Sequence, residues 1–229
     1  MKVIILAGGY GTRLSEYTKT IPKPMINICG KPIITYIINH YEKFGFKDFI
    51  IATGYKNKII NSFFKKFKTH SNIKTVYTGL NTMTGGRIRK LKSLIGNQTF
   101  LMTYGDGISN PNLKKLIKLH YKNKNIATLT AVRPPARFGA IKVSSNKVTY
   151  FKEKSHLDTG WINGGFFVFD PAIFKYLKND STILERTPMQ KISKKKKLGA
   201  LKHHGFWQCM DTLRDKEILE KLIKKNKNL

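Results

Sequence analysis

The chain has 229 residues, 41% of them hydrophobic, and carries 43 Lys and Arg against 13 Asp and Glu, a formal net charge of +30. The hydrophobic share is enough for a real core, so the chain is expected to fold unaided, and no apolar run reaches the roughly 20 residues of a membrane span. Cys29 and Cys209 and the six histidines fall into no Cys-x-x-Cys or His-Glu-x-x-His spacing, so neither disulfides nor zinc is suggested.

A field this positive draws nucleic acid or anionic lipid. The excess, however, is nearly all lysine spread through every predicted helix, with arginine sparse and Asn and Ile abundant. A drift in base composition toward Lys, Asn and Ile codons produces that pattern, so nucleic acid is not expected as a partner; attraction for phosphorylated substrates is. The first residues open directly into a strand without a signal peptide's h-region and cleavage site, and a cytoplasmic location is expected.

Lys2-Val3-Ile4-Ile5-Leu6 is short, apolar and β-branched, and reads as a fully buried strand. It delivers the chain into Gly8-Gly9-Tyr10-Gly11-Thr12-Arg13-Leu14. Glycines there let the backbone take φ > 0 and let successive N–H groups converge on an anion. Two common phosphate loops do not fit: Leu14 stands where a dinucleotide fingerprint needs glycine, and no Gly-Lys-Ser/Thr follows. Instead, Pro22 and Pro24 bracket Lys23. Fixing φ on both sides of a lysine positions its charge in advance, as an electrostatic catalyst requires.

Lys31-Pro32 is expected to open a helix whose stripe runs from Ile33 to Phe44 before Gly45 ends it. Asp48 to Thr53 reads as a second buried strand, Lys56 to Phe67 as a second amphipathic helix, and Ile73 to Tyr77 as a weak strand. Strand–helix alternation implies a parallel sheet, whose ligands sit beyond the strands' carboxyl ends. Thr99 to Tyr104 is another such strand and ends in Gly105-Asp106-Gly107, where Mg²⁺ would be held against phosphates; a second carboxylate is then required. Asn110-Pro111 is expected to cap the next helix, and Asn125 to Val132 to form the next strand.

From Arg133 the pattern shortens to strands at Ala140 to Val143, Lys147 to Phe151 and Trp161 to Asp170, read as a small mixed β region over the sheet's open end. Asn163-Gly164-Gly165 interrupts the last of these, marking either close ligand approach or a bulge. Asp180-Ser181-Thr182 is expected to start a helix, and Leu198 to His203 to return as a strand. Thr212 and Asp215 are spaced as a capping box, which leaves Asp211 just outside the last helix.

Gly8 through Leu14 with Pro22-Lys23-Pro24-Met25 resembles the signature of sugar-phosphate nucleotidyltransferases. Met83-Thr84-Gly85-Gly86-Arg87, Tyr104-Gly105-Asp106-Gly107, Arg137-Phe138-Gly139-Ala140, Trp161 to Phe167, and Gly205 through Asp215 narrow the likeness to the glucose-1-phosphate cytidylyltransferases. That resemblance implies an α/β fold: a mainly parallel open sheet, Rossmann-like and GT-A-like, with helices on both faces and a small β region roofing the sugar site. It implies one domain over 1–229, with a nucleotide part (1–132), a sugar part (133–211) and a C-terminal helix (212–229). By the same resemblance Arg13 and Lys23 are catalytic; Leu6, Ala7, Gly8, Gly9, Tyr10, Gly11, Thr12, Arg13, Thr82, Arg87 and Gly105 bind nucleotide; and Gly139, Glu153, Lys154 and Asn163 bind sugar. The resemblance also implies that Asp106 and Asp211 hold Mg²⁺, that CTP and glucose 1-phosphate are the substrates, and that the product feeds nucleotide-sugar and lipopolysaccharide O-antigen synthesis; thymidylyl, uridylyl or guanylyl transfer to another sugar 1-phosphate, and an inactive polyanion-binding or regulatory homologue, are the alternatives. The segment 68–82 is shorter than the family's insertion, which is implicated in subunit contacts, so a homo-oligomer is left open; Ser155 stands where the family's Glu-Lys-Pro has proline.

Overall fold

A computed structural model describes residues 1–135, 139–153 and 160–225. Seven strands form the central sheet: β1 (Val3–Ala7), β2 (Asp48–Thr53), β3 (Asn72–Tyr77), β4 (Phe100–Tyr104), β5 (Ala127–Val132), β6 (Ile162–Phe169) and β7 (Leu198–Lys202). Their spatial order is β7-β5-β6-β4-β1-β2-β3. Every neighbouring pair is parallel except those made by β6, which runs antiparallel to both β4 and β5.

The apolar run of β1 explains its central place. Ile4 and Leu6 pack on one face of the sheet with Ile50, Ala52, Phe100 and Met102, while Val3, Ile5 and Ala7 pack on the other with Phe49, Ile51 and Leu101. A strand apolar on both sides needs helices on both sides, and each large side chain so buried contributes about 1.5–3 kcal/mol. The helix Ile33–Glu42 turns Ile34, Ile37, Ile38 and Tyr41 to the second face; its first residue is Ile33, because Pro32 stays extended and pairs in a two-residue strand with Asn27.

Several expectations differ in detail. The strand predicted from Trp161 onward is β6 of the main sheet, not part of a roof: from Gly164 to Phe169 it is buried, and only a central position covers both its faces. The β region beyond Arg133 is therefore a single antiparallel hairpin, Ala140–Ser144 with Lys147–Lys152. Asp180 starts no helix, because its carboxylate is held by Arg89 (2.7 Å) and Lys90 (2.6 Å); the helix begins at Thr187, with Pro188 in its first turn. Asn112 rather than Asn110 caps the helix Leu113–Lys122, accepting from Lys115 N at 2.9 Å. A 3-10 helix at Pro171–Tyr176, capped by Asp170, was not expected.

A third core, composed of Leu14, Ile26, Ile28, Ile33, Ile108, Met210 and Leu219, lies apart from the sheet's two faces. It joins the glycine turn, the Pro-Lys-Pro segment, the residues after Asp106, those before Asp211 and the final helix Leu213–Lys225. This cluster locks the parts that carry the candidate site.

Candidate active site

The sheet order reverses between β1 and β4, so the loops leaving their carboxyl ends diverge and open a crevice. A cavity of about 330 Å³ occupies it, lined by Leu6, Ala7, Gly8, Gly9, Gly11, Thr12, Arg13, Lys23, Thr82, Arg87, Gly105 and Asp106, together with Pro24, Met83, Thr84 and Tyr104. Ten of the eleven sequence positions chosen for nucleotide thus converge on this cavity; the eleventh, Tyr10, does not, for its hydroxyl donates to Asn81 Oδ1 at 2.7 Å and its ring tilts against Tyr55 at 5.3 Å, outside the lining. Gly11 sits at φ 68°, and a Cβ there would lie 2.8 Å from Thr18 Cγ2 and 3.2 Å from Lys23 Cβ. Only glycine allows that turn to close on Lys23.

Arg87 braces this loop from below and is only 4% exposed. Its Nη2 donates to Gly8 O (2.8 Å) and Leu80 O (3.3 Å), and its Nη1 to Thr53 O (3.1 Å), Thr78 Oγ1 (2.7 Å) and Gly79 O (2.8 Å). One guanidinium therefore ties the ends of β1, β2 and β3 together at the cavity floor. Lysine has the charge but not the planar fork. Arg87→Lys is expected to lose about 2 kcal/mol by leaving buried carbonyls unpaired, which is a fall of roughly 4–8 °C in Tm for a chain of this size; an unchanged thermal transition would refute the bracing role.

Asp106 and Asp211 are brought together by a ribbon the sequence did not announce. Gly107–Ser109 pairs antiparallel with Trp207–Cys209, Cys209 opposite Gly107, and Met210 N donates to Asp106 O at 2.9 Å. The two carboxylates then face one cation: Lys23 Nζ lies 2.6 Å from Asp106 Oδ2 and 2.7 Å from Asp211 Oδ1. Arg13 Nη1 meets the remaining Asp211 oxygen at 2.8 Å. Asp215 accepts from the amides of Asp211 and Thr212 at 3.1 and 2.9 Å, so the predicted capping box is formed and points Asp211 away from the helix.

Burial alone would disfavour the charge on Lys23, yet Asp106 and Asp211 outweigh it and raise the ammonium above its ordinary 10.5. Burial likewise works against ionised Asp211, but the hydrogen bond and charge of Lys23, with Arg13, hold it below its ordinary 3.8. The signs follow. The depressed carboxylate stabilises the fold above its unfolded value and is lost as pH falls through the folded one; the raised ammonium stabilises it below 10.5 and is lost as pH rises further.

On the sugar side of the prediction, Asn163 lies beside Tyr104. Its Nδ2 donates to the Tyr104 hydroxyl at 3.3 Å while its Oδ1 accepts from Gly165 N at 2.9 Å. The bulge reading of Asn163-Gly164-Gly165 is present, because the register shifts within this stretch; a hollow of about 50 Å³ lined by Asn163, Gly164, Gly165, Tyr104, Asp106 and Trp207 shares Tyr104 and Asp106 with the larger cavity. Gly165, at φ 82°, is required because a Cβ would sit 2.8 Å from the Tyr104 ring. Gly139 and Glu153 stand next to each other at the base of the hairpin Ala140–Ser144/Lys147–Lys152, outside the described lining of either cavity. Lys154 lies outside the described residues.

The nucleotidyl transferase family profile matches residues 2–212. The chain belongs to the nucleotidyl transferase family. It is 42% identical over 250 residues to the glucose-1-phosphate cytidylyltransferase of Salmonella typhi, covering 99% of this chain and 97% of that protein. The probable glucose-1-phosphate cytidylyltransferase of Bacillus subtilis (strain 168) is 38% identical over 237 residues, covering 94% of this chain and 93% of the relative. The crystal structure of HddC from Yersinia pseudotuberculosis superposes with a TM-score of 0.75 at 26% identity, over 97% of this chain and 99% of that one.

For this nucleotidyltransferase the resemblance read from the motifs holds, and so does the mainly parallel fold. Three side chains at the site escaped the sequence reading. Tyr104 ends β4 and was read as a buried strand residue; Glu185, in an irregular segment, offers no local signal; Trp207 stood within a motif without a role, and its Nε1 donates to Gly164 O at 2.9 Å.

Proposed function

We propose that this nucleotidyltransferase couples CTP to glucose 1-phosphate, giving CDP-glucose and pyrophosphate. The observation that carries the reading is the cluster Arg13–Asp211–Lys23–Asp106 at the mouth of the glycine-loop cavity, in a chain 42% identical to a glucose-1-phosphate cytidylyltransferase. A phosphate oxygen of glucose 1-phosphate forms the new bond to the α-phosphorus of the nucleotide. The bond to the β-phosphate oxygen breaks, and its electron pair leaves with pyrophosphate. Nucleophile and leaving group are already anionic oxygens, so little acid–base work remains and rate comes from alignment and fixed positive charge.

The residues suit that demand. In the loop, the amides of Gly9, Tyr10 and Gly11 donate to no other group among the described residues, which leaves them for phosphate oxygens. Lys23, only 8% exposed, is held at the crevice by the third core and supplies charge without reorganisation. Arg13, with 70% of its side chain exposed, can follow the substrate phosphates.

The donor set of Asp106 and Asp211 fits a divalent cation: two carboxylates already share one positive centre. Mg²⁺ keeps waters and phosphates among its ligands and takes one or two protein carboxylates, as this pair offers. Bound there, it would neutralise charge on the nucleotide phosphates. No helix of the described residues is long and apolar enough to cross a membrane. Pyrophosphate release measured with glucose 1-phosphate and each of CTP, UTP, GTP, ATP and dTTP tests the reading. CTP is expected to exceed the others by about 10²-fold or more in kcat/KM. Preference for another triphosphate would overturn the base assignment, and steeply salt-sensitive RNA binding without any release would overturn the enzyme.

A further inference from the structure

Glu185 is an anomaly in a chain of 13 acids and 43 Lys and Arg. It is exposed, and among the described residues no lysine, arginine or histidine pairs with it. Both of its protein contacts are neutral hydroxyls. Tyr104 donates to Oε1, and Thr84 donates to Oε2 at 2.7 Å. Those contacts are themselves anchored: Thr84 Oγ1 accepts from Leu184 N at 2.9 Å, and the Tyr104 hydroxyl accepts from Asn163 Nδ2 at 3.3 Å. Thr84 and Tyr104 line the 330 Å³ cavity, and Tyr104 also lines the hollow around Asn163.

A carboxylate has about four lone-pair sites. Two are taken, and two remain beside Thr84 and Tyr104, which line the cavity that we read as the phosphate site. An uncompensated negative charge there opposes any phosphate that approaches it, so the group it can face is an uncharged donor. On a sugar 1-phosphate the uncharged donors are the ring hydroxyls. We propose that Glu185 is a specificity residue of the sugar subsite, its carboxylate accepting a hydrogen bond from one hydroxyl of the sugar 1-phosphate, with Tyr104 and Thr84 holding it in place. This rests on the reading that the second substrate is a sugar phosphate. Asn163, Tyr104 and Glu185 then form one chain of hydrogen-bonding groups along the wall joining the two cavities, and the sugar would be read along it.

The test uses steady-state kinetics of the full-length enzyme with CTP and glucose 1-phosphate, and with its 2-, 3-, 4- and 6-deoxy analogues. Glu185→Ala and Glu185→Gln are compared with the parent. A hydrogen bond to a charged acceptor is lost in each variant, so KM for the sugar phosphate is expected to rise about 10- to 100-fold. KM for CTP and the thermal transition should stay within twofold and about 2 °C respectively, since Glu185 is exposed. The decisive readout is the deoxy series: one analogue should be penalised about tenfold or more by the parent and by no more than about twofold in Glu185→Ala, because the partner of that hydroxyl is gone. Equal penalties in parent and variants for all four analogues would overturn the proposal. So would a parallel rise in both KM values, which is what simple bracing of Tyr104 and Thr84 gives. Should the parent release no pyrophosphate with glucose 1-phosphate, the reading of the substrate fails by itself; the same comparison is then made with the sugar 1-phosphate it does use, where unchanged KM in Glu185→Ala would overturn the role of Glu185.

Discussion

Lys23→Ala is expected to lower kcat about 10³-fold while the protein stays folded. The reason lies in where Lys23 is held. It follows Pro22 in extended conformation (φ −71°, ψ 147°), opens the 3-10 turn Lys23–Met25, and is pinned by Ile26 in the third core. Its ammonium is therefore placed by backbone and packing, not by a search through rotamers, and no second lysine shares the lining of the cavity. Removing it also leaves Asp106 and Asp211 facing each other. Loss of one partner from a buried pair costs about 3–5 kcal/mol, but the side chain of Asp106 is 35% exposed and water moderates the repulsion, so about 2 kcal/mol is the expected loss. Millimolar Mg²⁺ should recover part of that loss in a thermal shift, because a divalent cation supplies the missing charge. Lys23→Arg should not rescue activity, since a planar fork does not fill the place of a point charge between two carboxylates. Turnover of Lys23→Ala within tenfold of the parent would remove this residue from the chemistry.

Asp106→Asn and Asp211→Asn are each expected to lower kcat by about 10²–10³-fold, and the double variant to be little worse than the poorer single one. Groups that act as a unit are not additive, and these two share one cation across the ribbon Gly107–Ser109/Trp207–Cys209. Binding measured apart from turnover separates this from misfolding. Mn²⁺ affinity in the presence of CTP should fall at least tenfold in each variant, while CTP affinity in metal-free buffer should hold or improve as negative charge leaves the site. Additive losses in kcat with undiminished Mn²⁺ binding would mean that the two aspartates serve only to orient Lys23 and Arg13.

Parts of this protein were legible one residue at a time. The run Val3–Ala7 reads as a strand buried on both faces, and Gly11 needed a positive φ, so the loop at the strand's end was legible as a tight glycine turn. Lys23 between two prolines and the capping box at Thr212 and Asp215 were readable for the same reason: their physics is local and lies within a few positions of the chain. What failed was equally physical. Asp180 has the composition of a helix start, but Arg89 and Lys90, about ninety residues earlier, hold its carboxylate away. The run Ile162–Phe169 could belong to a hairpin or to a sheet interior, and only the availability of β4 and β5 as neighbours assigned it to the interior.

The sequence by itself determined the fold class, the glycine turn and the identity of the four charged groups, because periodicity, glycine conformation and proline geometry act over short range. Tertiary structure alone decided that Asp106 and Asp211 meet on Lys23, that Arg87 ties three strands beneath the loop, and that Glu185 stands beside Tyr104. Each of these includes a contact between positions about 80 to 190 apart in the chain, and such contacts depend on which strands pair and how three hydrophobic clusters close, information that no local pattern of residues contains.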